Sequence, residues 1–373
     1  MASIKKIEYR KKSGKVSTYW QVSYYDAGGK RVRKNFAKQS KANSHRITVE
    51  GQIQAGTHIP DRDSRTVAQA CDAFILDFEN SVKSGARERS TWEQYRSHIK
   101  LHIKPYPITA SLLNGLRSSS VQEYLGKLQA AVGDDMAAKV MTTFRMIMRF
   151  AAVRDWISGN PATVVKVRRE TRKESQVIIP EKSTVRAIIE AAKAMGDEEH
   201  AFTCMAFFCG LRPSEMRGFP RAGAVLKNLI ISQRADEWGK IGPPKTKAGR
   251  RTIPMPDYTA AAVHKWAAQG KEALLFPSDA GTPQSYQNLF NRFWKPLLKA
   301  AGAPEHYTMH EARHFAASLW IEDGYNEKEA QAMLGHSSIK MTMDTYGHLF
   351  KTSKRRREIV NTGEQRVLGT KRA

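Results

Sequence analysis

The sequence predicts a mainly α protein with small β elements, an α+β fold. Three observations carry that prediction. Apolar residues recur at helical spacing behind helix-start signals, as where Thr66-x-x-Gln69 introduces Val67, Ala70, Phe74, Ile75 and Phe78. Near the N-terminus, Tyr19-Trp20-Gln21-Val22-Ser23-Tyr24 alternates with period two, the pattern of a half-buried strand. In the mostly helical second half, Val225 to Ser232 and Arg250 to Met255 read as short strands around a Gly/Pro/Lys-rich connection.

Residues 1–58 form the first module. Ile4 to Tyr9, the alternating run and Lys30 to Phe36 give three strands, and Asp26-Ala27-Gly28-Gly29 turns between the last two. Ser40 is positioned to cap a helix running to about Ala55, and Gly56 to end it. Cations crowd this module: Lys11, Lys12, Lys15, Lys30, Arg31, Arg33, Lys34, Lys38 and Lys41. A small sheet with cations on one face can enter a DNA groove; the blander alternative is a solvated hairpin. His58 to Arg65 is a linker.

Residues 65–162 read as all-helical. The Thr66 box opens the first helix, and Ser90-x-x-Glu93 opens a second that carries Trp92, Tyr95 and Ile99 and stops before Pro105. Ser120 to Ala131 is a third helix. Asp134 to Ile157 is a fourth, with Met136, Val140, Phe144, Ile147, Met148 and Ala151 on one side as core, and Gly159-Asn160-Pro161 ends the bundle. Lys166, Arg168 and Arg169, with Arg172 and Lys173, then form a basic connection that is either solvated or laid along phosphates. Residues 178–373 are a second helical region with the short β insertion, and the tail carries Lys354-Arg355-Arg356-Arg357.

The bulk chemistry points to a polyanion. There are 61 Lys and Arg against 36 Asp and Glu, a net charge of +25 and a pI of about 10.0. A globular chain this basic has nucleic acid as its leading partner, over a soluble protein that merely runs basic. Three cysteines, Cys71, Cys204 and Cys209, with no Cys-x-x-Cys, argue for a reducing compartment and against a cysteine zinc site. No apolar run follows Lys5 and Lys6, and Ala201 to Leu211 is too short to span a bilayer. The expectation is a cytoplasmic, nucleoid-associated protein with no membrane partner.

The chemistry-bearing residues concentrate late in the chain. His310-Glu311-Ala312-Arg313-His314 is followed by Leu334-Gly335-His336 and Asp344-Thr345-Tyr346. A guanidinium fork grips a phosphate, an imidazole moves a proton near neutral pH, and a phenol is a covalent nucleophile once activated. The first five residues also fit His-Glu-x-x-His, the zinc metalloprotease pattern, with His310 and His314 on one helix face. That alternative leaves Arg212, Tyr346 and the +25 charge without a role.

Five elements in order resemble the tyrosine recombinases, the family of phage and mobile-element integrases. They are Gly210-Leu211-Arg212-Pro213-Ser214-Glu215, the segment Lys245 to Pro254, His310-x-x-Arg313-His314, Leu334-Gly335-His336, and Tyr346. The resemblance implies an arm-type DNA-binding module over 1–58, a helical SAM-like core-site domain over 65–162, and a mostly helical catalytic domain with a small sheet over 178–373. It implies that Arg212 and Arg313 hold the scissile phosphate and that Tyr346 attacks it, leaving a 3′-phosphotyrosyl bond. His310 is then the proton acceptor or a phosphate partner, His336 donates to a phosphate oxygen, and Lys245 protonates the leaving 5′ oxygen. Glu215 orients Arg212 or a neighbour rather than reacting, and His314 packs or supports without being catalytic.

The implied partners are double-stranded DNA at core and arm sites, three further protomers in a homotetramer, and accessory DNA-bending and directionality proteins. No metal, cofactor or ATP is implied. Lys30, Arg31, Arg33, Lys34, Lys166, Arg168 and Arg169 are the expected DNA contacts outside the catalytic centre. Lys245 lies nine residues before Pro254, one more than in several relatives, so Lys247 competes for its role. Tyr346 lies ten residues after His336, one more than in the shortest forms, and Phe219-Pro220 replaces a stretch that is often acidic. Two other classes share parts of the pattern: a DNA-binding regulator with an inactive site, and a type IB topoisomerase.

Overall fold

The structure is a computed structural model, and it describes residues 2–10, 16–26, 28–61, 63–168 and 177–350. The chain divides into two compact units, Met1–Lys173 and Glu174–Ala373.

In the first unit, β1 (Ser3–Arg10), β2 (Val16–Tyr25) and β3 (Arg31–Phe36) form an antiparallel sheet in the order β1-β2-β3. Asp26 Oδ1 accepts from the Gly28 and Lys30 amides, and Gly29 takes φ +73°, so the turn needs both its aspartate and a glycine. The register pairs Ile4 with Val22 and Tyr24 with Val32. Those residues, with Trp20 and Phe36, pack on α1 (Gln39–Gln54) through Ala42 and Val49. Lys5, Gln21, Tyr25, Arg31 and Arg33 alternate with them and so occupy the opposite, open face. Lys34 does not join that face. It pairs with Val22 on the helix side, and its ammonium donates to Asp61 at 2.8 Å. Helix α1 starts behind Lys38 with no side-chain cap; Ser40 is already inside it, and Gly56 ends it at φ +67°.

The bundle follows. Thr66 and Gln69 close the expected reciprocal cap on α2 (Val67–Lys83). The second box does not form, because α3 (Arg89–His98) starts one residue before Ser90. Glu93 pairs with Arg89 and Arg96 instead. Helix α3 runs into a π turn, Ile99–Ile103, before Pro105. Helix α4 (Ser118–Val153) is two helices joined at Gly133, whose φ of 74° and ψ of 170° no interior helical residue adopts. Val121, Leu125, Val140, Phe144 and Ile147 from both halves share one core with Val67, Phe74 and Ile103. The connection after the bundle begins later than residue 162. Ala162 and Val165 are buried, and the Arg145 guanidinium donates to both of their carbonyls. Lys166 and Arg168 are exposed beyond that anchor; Arg169, like Lys11, Lys12, Lys15 and the basic tail, lies outside the described residues.

The second unit is built on α6 (Asp197–Cys209), whose residues from Ala201 to Phe207 are all buried. It is wrapped by α5 (Lys182–Met195), α8 (Asp257–Ala267) and α11 (Met309–Glu322). A short helix, α7 (Pro213–Arg217), leaves the end of α6. The β insertion is a sheet of β4 (Ala224–Val225), β5 (Asn228–Ile231) and β8 (Arg251–Pro254), in that order. Between β5 and β8 stands a separate hairpin of β6 (Arg234–Ala235) and β7 (Ile241–Gly242). Helix α9 (Tyr286–Leu289) continues through a π turn, Phe290–Trp294, into α10 (Lys295–Ala300). The unit closes with α12 (Glu327–Leu334) and α13 (Ile339–Tyr346). Phe219, unexplained by sequence, is 1% exposed in the main core, where an acidic residue would be unpaired. No helix among the described residues is long and apolar enough to cross a membrane.

Candidate active site

Two left-handed glycines at helix ends build the site. Gly210 ends α6 at φ +59°, and its carbonyl accepts from the Arg313 guanidinium at 2.6 Å. Gly335 ends α12 at φ +61°, and its carbonyl accepts from Arg212 at 2.9 Å. The Leu334 carbonyl takes a second N–H of Arg313. Both guanidiniums are therefore aimed by carbonyls left over at helix C-termini, the ends that favour cations. A side chain at either glycine would strain the backbone. It would also meet Trp320 at 2.9 Å beside Gly210, or the Ala248 carbonyl at 2.8 Å beside Gly335.

Glu215 is the hub. It is 2% exposed and accepts from the Arg212 amide at 2.8 Å and the Arg212 guanidinium at 2.9 Å. Arg251 grips both of its oxygens at 2.9 Å, and also donates to the Met333 and Gly249 carbonyls. Burial alone would raise the Glu215 pKa. The Arg251 hydrogen bonds and the charges of Arg251, Arg313 and Arg212 outweigh it and hold the carboxyl at about 2. The sequence assigned Glu215 to Arg212 or a neighbour and did not single out Arg251. Strand parity carried the signal: on β8, Arg251 shares a face with buried Ile253, while Thr252 points out.

A carboxylate depressed from 4.5 to about 2 stabilises the fold above pH 4.5, and that stability is lost as pH falls toward 2. Glu215→Gln leaves the buried Arg251 cation unpaired. It should cost on the order of 3 kcal/mol at pH 7 and flatten the acid limb of the stability curve. Urea midpoints of both proteins between pH 7 and 3 check this.

A cavity of about 770 Å³ is lined by Arg212, Glu215, Lys245, Tyr286, His310 and Gly335, among others. Lys245 reaches its wall; Lys247 lies in the 3-10 turn Lys247–Gly249 and does not. Arg313, His314, His336 and Tyr346 are not part of its lining. Arg313 is 3% exposed, and burial, then Arg212, push its pKa down to about 9, still charged at neutral pH. His336 is half-buried with Nδ1 3.0 Å from the Thr342 hydroxyl, a partner that sequence reasoning missed. Burial, then Arg313 and Arg212, lower its pKa to about 4. His310 is open to the cavity; the pocket wall and Arg313 lower its pKa.

Tyr346 ends α13 and is 1% exposed. Its hydroxyl is 2.6 Å from His314 Nδ1. Burial raises the phenol to about 12 against the lowering charges of Arg313 and Arg212. The sequence left His314 as a packing or supporting residue, and the structure sets it against the phenol. Glu311 closes a reciprocal cap with Thr308 at the start of α11, so the metalloprotease pattern has no free base there. The six expected catalytic residues therefore gather in one unit. Arg212, Lys245 and His310 line the cavity; Arg313, His336 and Tyr346 do not, but the charges of Arg212 and Arg313 reach both His336 and Tyr346.

Residues 180–353 match the phage integrase family. That stretch is the phage integrase domain of the tyrosine recombinases. The recombinase is 26% identical over 364 residues to a putative prophage phiRv2 integrase of Mycobacterium tuberculosis, covering 92% of this chain and 93% of the relative. Its fold is similar to that of the Tn1549 transposon integrase in complex with transposon right-end DNA (TM-score 0.65, 18% identity, 80% of this chain and 100% of the other). It is similar as well to a lambda integrase tetramer bound to a Holliday junction (TM-score 0.55, 17% identity, 89% and 95%).

Proposed function

We propose that this recombinase is a site-specific DNA recombinase of a mobile element. It cleaves and rejoins DNA through a 3′-phosphotyrosyl intermediate, with guanidiniums in place of metal ions and without ATP. The observation that carries the reading is the joining of Arg212, Glu215 and Arg251, the first two on the cavity wall, with the charges of Arg313 and Arg212 reaching the Tyr346 phenol. Fixed cations meet the charge that builds on the phosphoryl oxygens. Arg212 and Arg313 hold those oxygens, and His310 and His336 donate to them. Lys245, on the cavity wall, protonates the leaving 5′ oxygen. The phosphotyrosyl ester keeps the energy of the broken bond, so a 5′-hydroxyl from a second strand reseals it.

Lys5, Arg31, Arg33 and Tyr25 on the open sheet face support an arm-site module over 1–58. Exposed Lys166 and Arg168 support phosphate contacts at the end of the 65–162 core-site domain. Exchange between two duplexes needs four nucleophiles, hence a homotetramer on DNA, the assembly seen for lambda integrase on a Holliday junction. Accessory bending and directionality proteins complete the proposed set of partners.

The test is a duplex nicked near the cleavage point, so that the short product diffuses away. A core site located by footprinting the DNA that flanks the gene should accumulate covalent protein–DNA. Tight binding without trapping would instead indicate a regulator with an inactive site. Relaxation of supercoils at any sequence would indicate a topoisomerase.

A further inference from the structure

We propose that His314, rather than His310, is the catalytic base that takes the proton of Tyr346. The proposal rests on the assignment of Tyr346 as nucleophile. Three observations carry it. His314 Nδ1 lies 2.6 Å from the Tyr346 hydroxyl, the two rings 5.6 Å apart and tilted at 62°. The phenol is 1% exposed, and His314 is the hydrogen-bond partner of its hydroxyl among the described residues. His310 is one helical turn away, its ring 5.1 Å from that of His314, and it lines the cavity where the phosphate would sit. The two histidines thus divide the work: His310 faces the phosphate and His314 faces the nucleophile.

The step balances. The Tyr346 O–H bond breaks and its proton passes to Nδ1 of His314. The phenolic oxygen bonds to phosphorus, and the P–O5′ bond breaks with the 5′ oxygen protonated by Lys245. Resealing runs the same transfers backwards, and His314 returns the proton to the phenol. The ring must be neutral to accept, and burial, His310 and Arg313 keep it so, lowering its pKa to about 4. A phosphate in the cavity supplies negative charge beside those cations and favours the protonated ring at the moment of transfer.

The experiment is single-turnover cleavage of the nicked core-site duplex by the full chain. His314→Ala and His314→Asn are compared with the parent, each with Tyr346 or with 3,5-difluorotyrosine at position 346. The asparagine amide oxygen can keep the hydrogen bond that Nδ1 makes, but it cannot carry the proton. Both variants should lose roughly a hundredfold or more in cleavage rate with the natural phenol, the range for general-base loss. The more acidic fluorinated phenol should restore them to within about tenfold of the His314 protein carrying the same residue. DNA affinity should be unchanged, and His314→Asn serves if His314→Ala folds poorly. Parent-like cleavage by His314→Asn would overturn the proposal, because a positioning contact would then suffice. So would a loss that the acidic phenol does not repair. Activity of the His314 protein with the fluorinated phenol keeps the nucleophile assignment standing in either case, whereas covalent trapping by Tyr346→Phe would sink that assignment instead.

Discussion

Tyr346→Phe is expected to abolish covalent trapping while leaving DNA affinity within about twofold of the parent. The hydroxyl is the only group removed. It is buried, its single hydrogen-bond partner among the described residues is His314, and it does not line the cavity, so little DNA contact is lost. Stability should change by only about 1 kcal/mol, the net worth of one hydrogen bond, with His314 left unpaired as the cost. Gel-resolved trapping, a binding isotherm and a melting curve on the same preparation separate the three effects. The largest signal is the trapping: no amount of enzyme or time should restore it.

Arg313→Gln is expected to be nearly as severe and to differ in kind. Arg313 ties the end of α6 to the end of α12 through the Gly210 and Leu334 carbonyls. Its charge also reaches Tyr346, Arg212 and Glu215. Replacing it removes one of the two cations meant for the phosphate, which should slow single-turnover cleavage by roughly a thousandfold or more. It also leaves two buried carbonyls short of a donor, so the melting temperature should fall, unlike that of Tyr346→Phe. Cleavage rate and melting temperature measured together identify this double effect. A variant that loses stability but cleaves normally would remove Arg313 from the chemistry.

Much of this was legible in the sequence because it is periodic or local. The Thr66 box, the break between the helices ending at Ala131 and starting at Asp134, and the Asp26–Gly29 turn each depend on residues a few positions apart. Ser40 and Ser90 misled for the same reason. Both are good caps in isolation, but the chain enters α1 and α3 earlier, where Lys38 and Glu88 have the extended backbone. The catalytic residues were found through motif order. Their supports were not, since Arg251 reaches Glu215 across 36 residues and Gly335 reaches Arg212 across 123. The placing of Lys34 on the helix side followed from strand register, which a single sequence leaves open. His314 was visible as i+4 from His310, yet its partner lies 32 residues away on another helix.

Mass spectrometry of the trapped complex, after digestion of protein and DNA, tests the central claim most directly. The account predicts one modified peptide, spanning Tyr346, that carries a nucleotide through its 3′ phosphate, with a free 5′-hydroxyl on the released strand. A nucleotide on another residue, a 5′-linked adduct, or cleaved DNA with no adduct would contradict it.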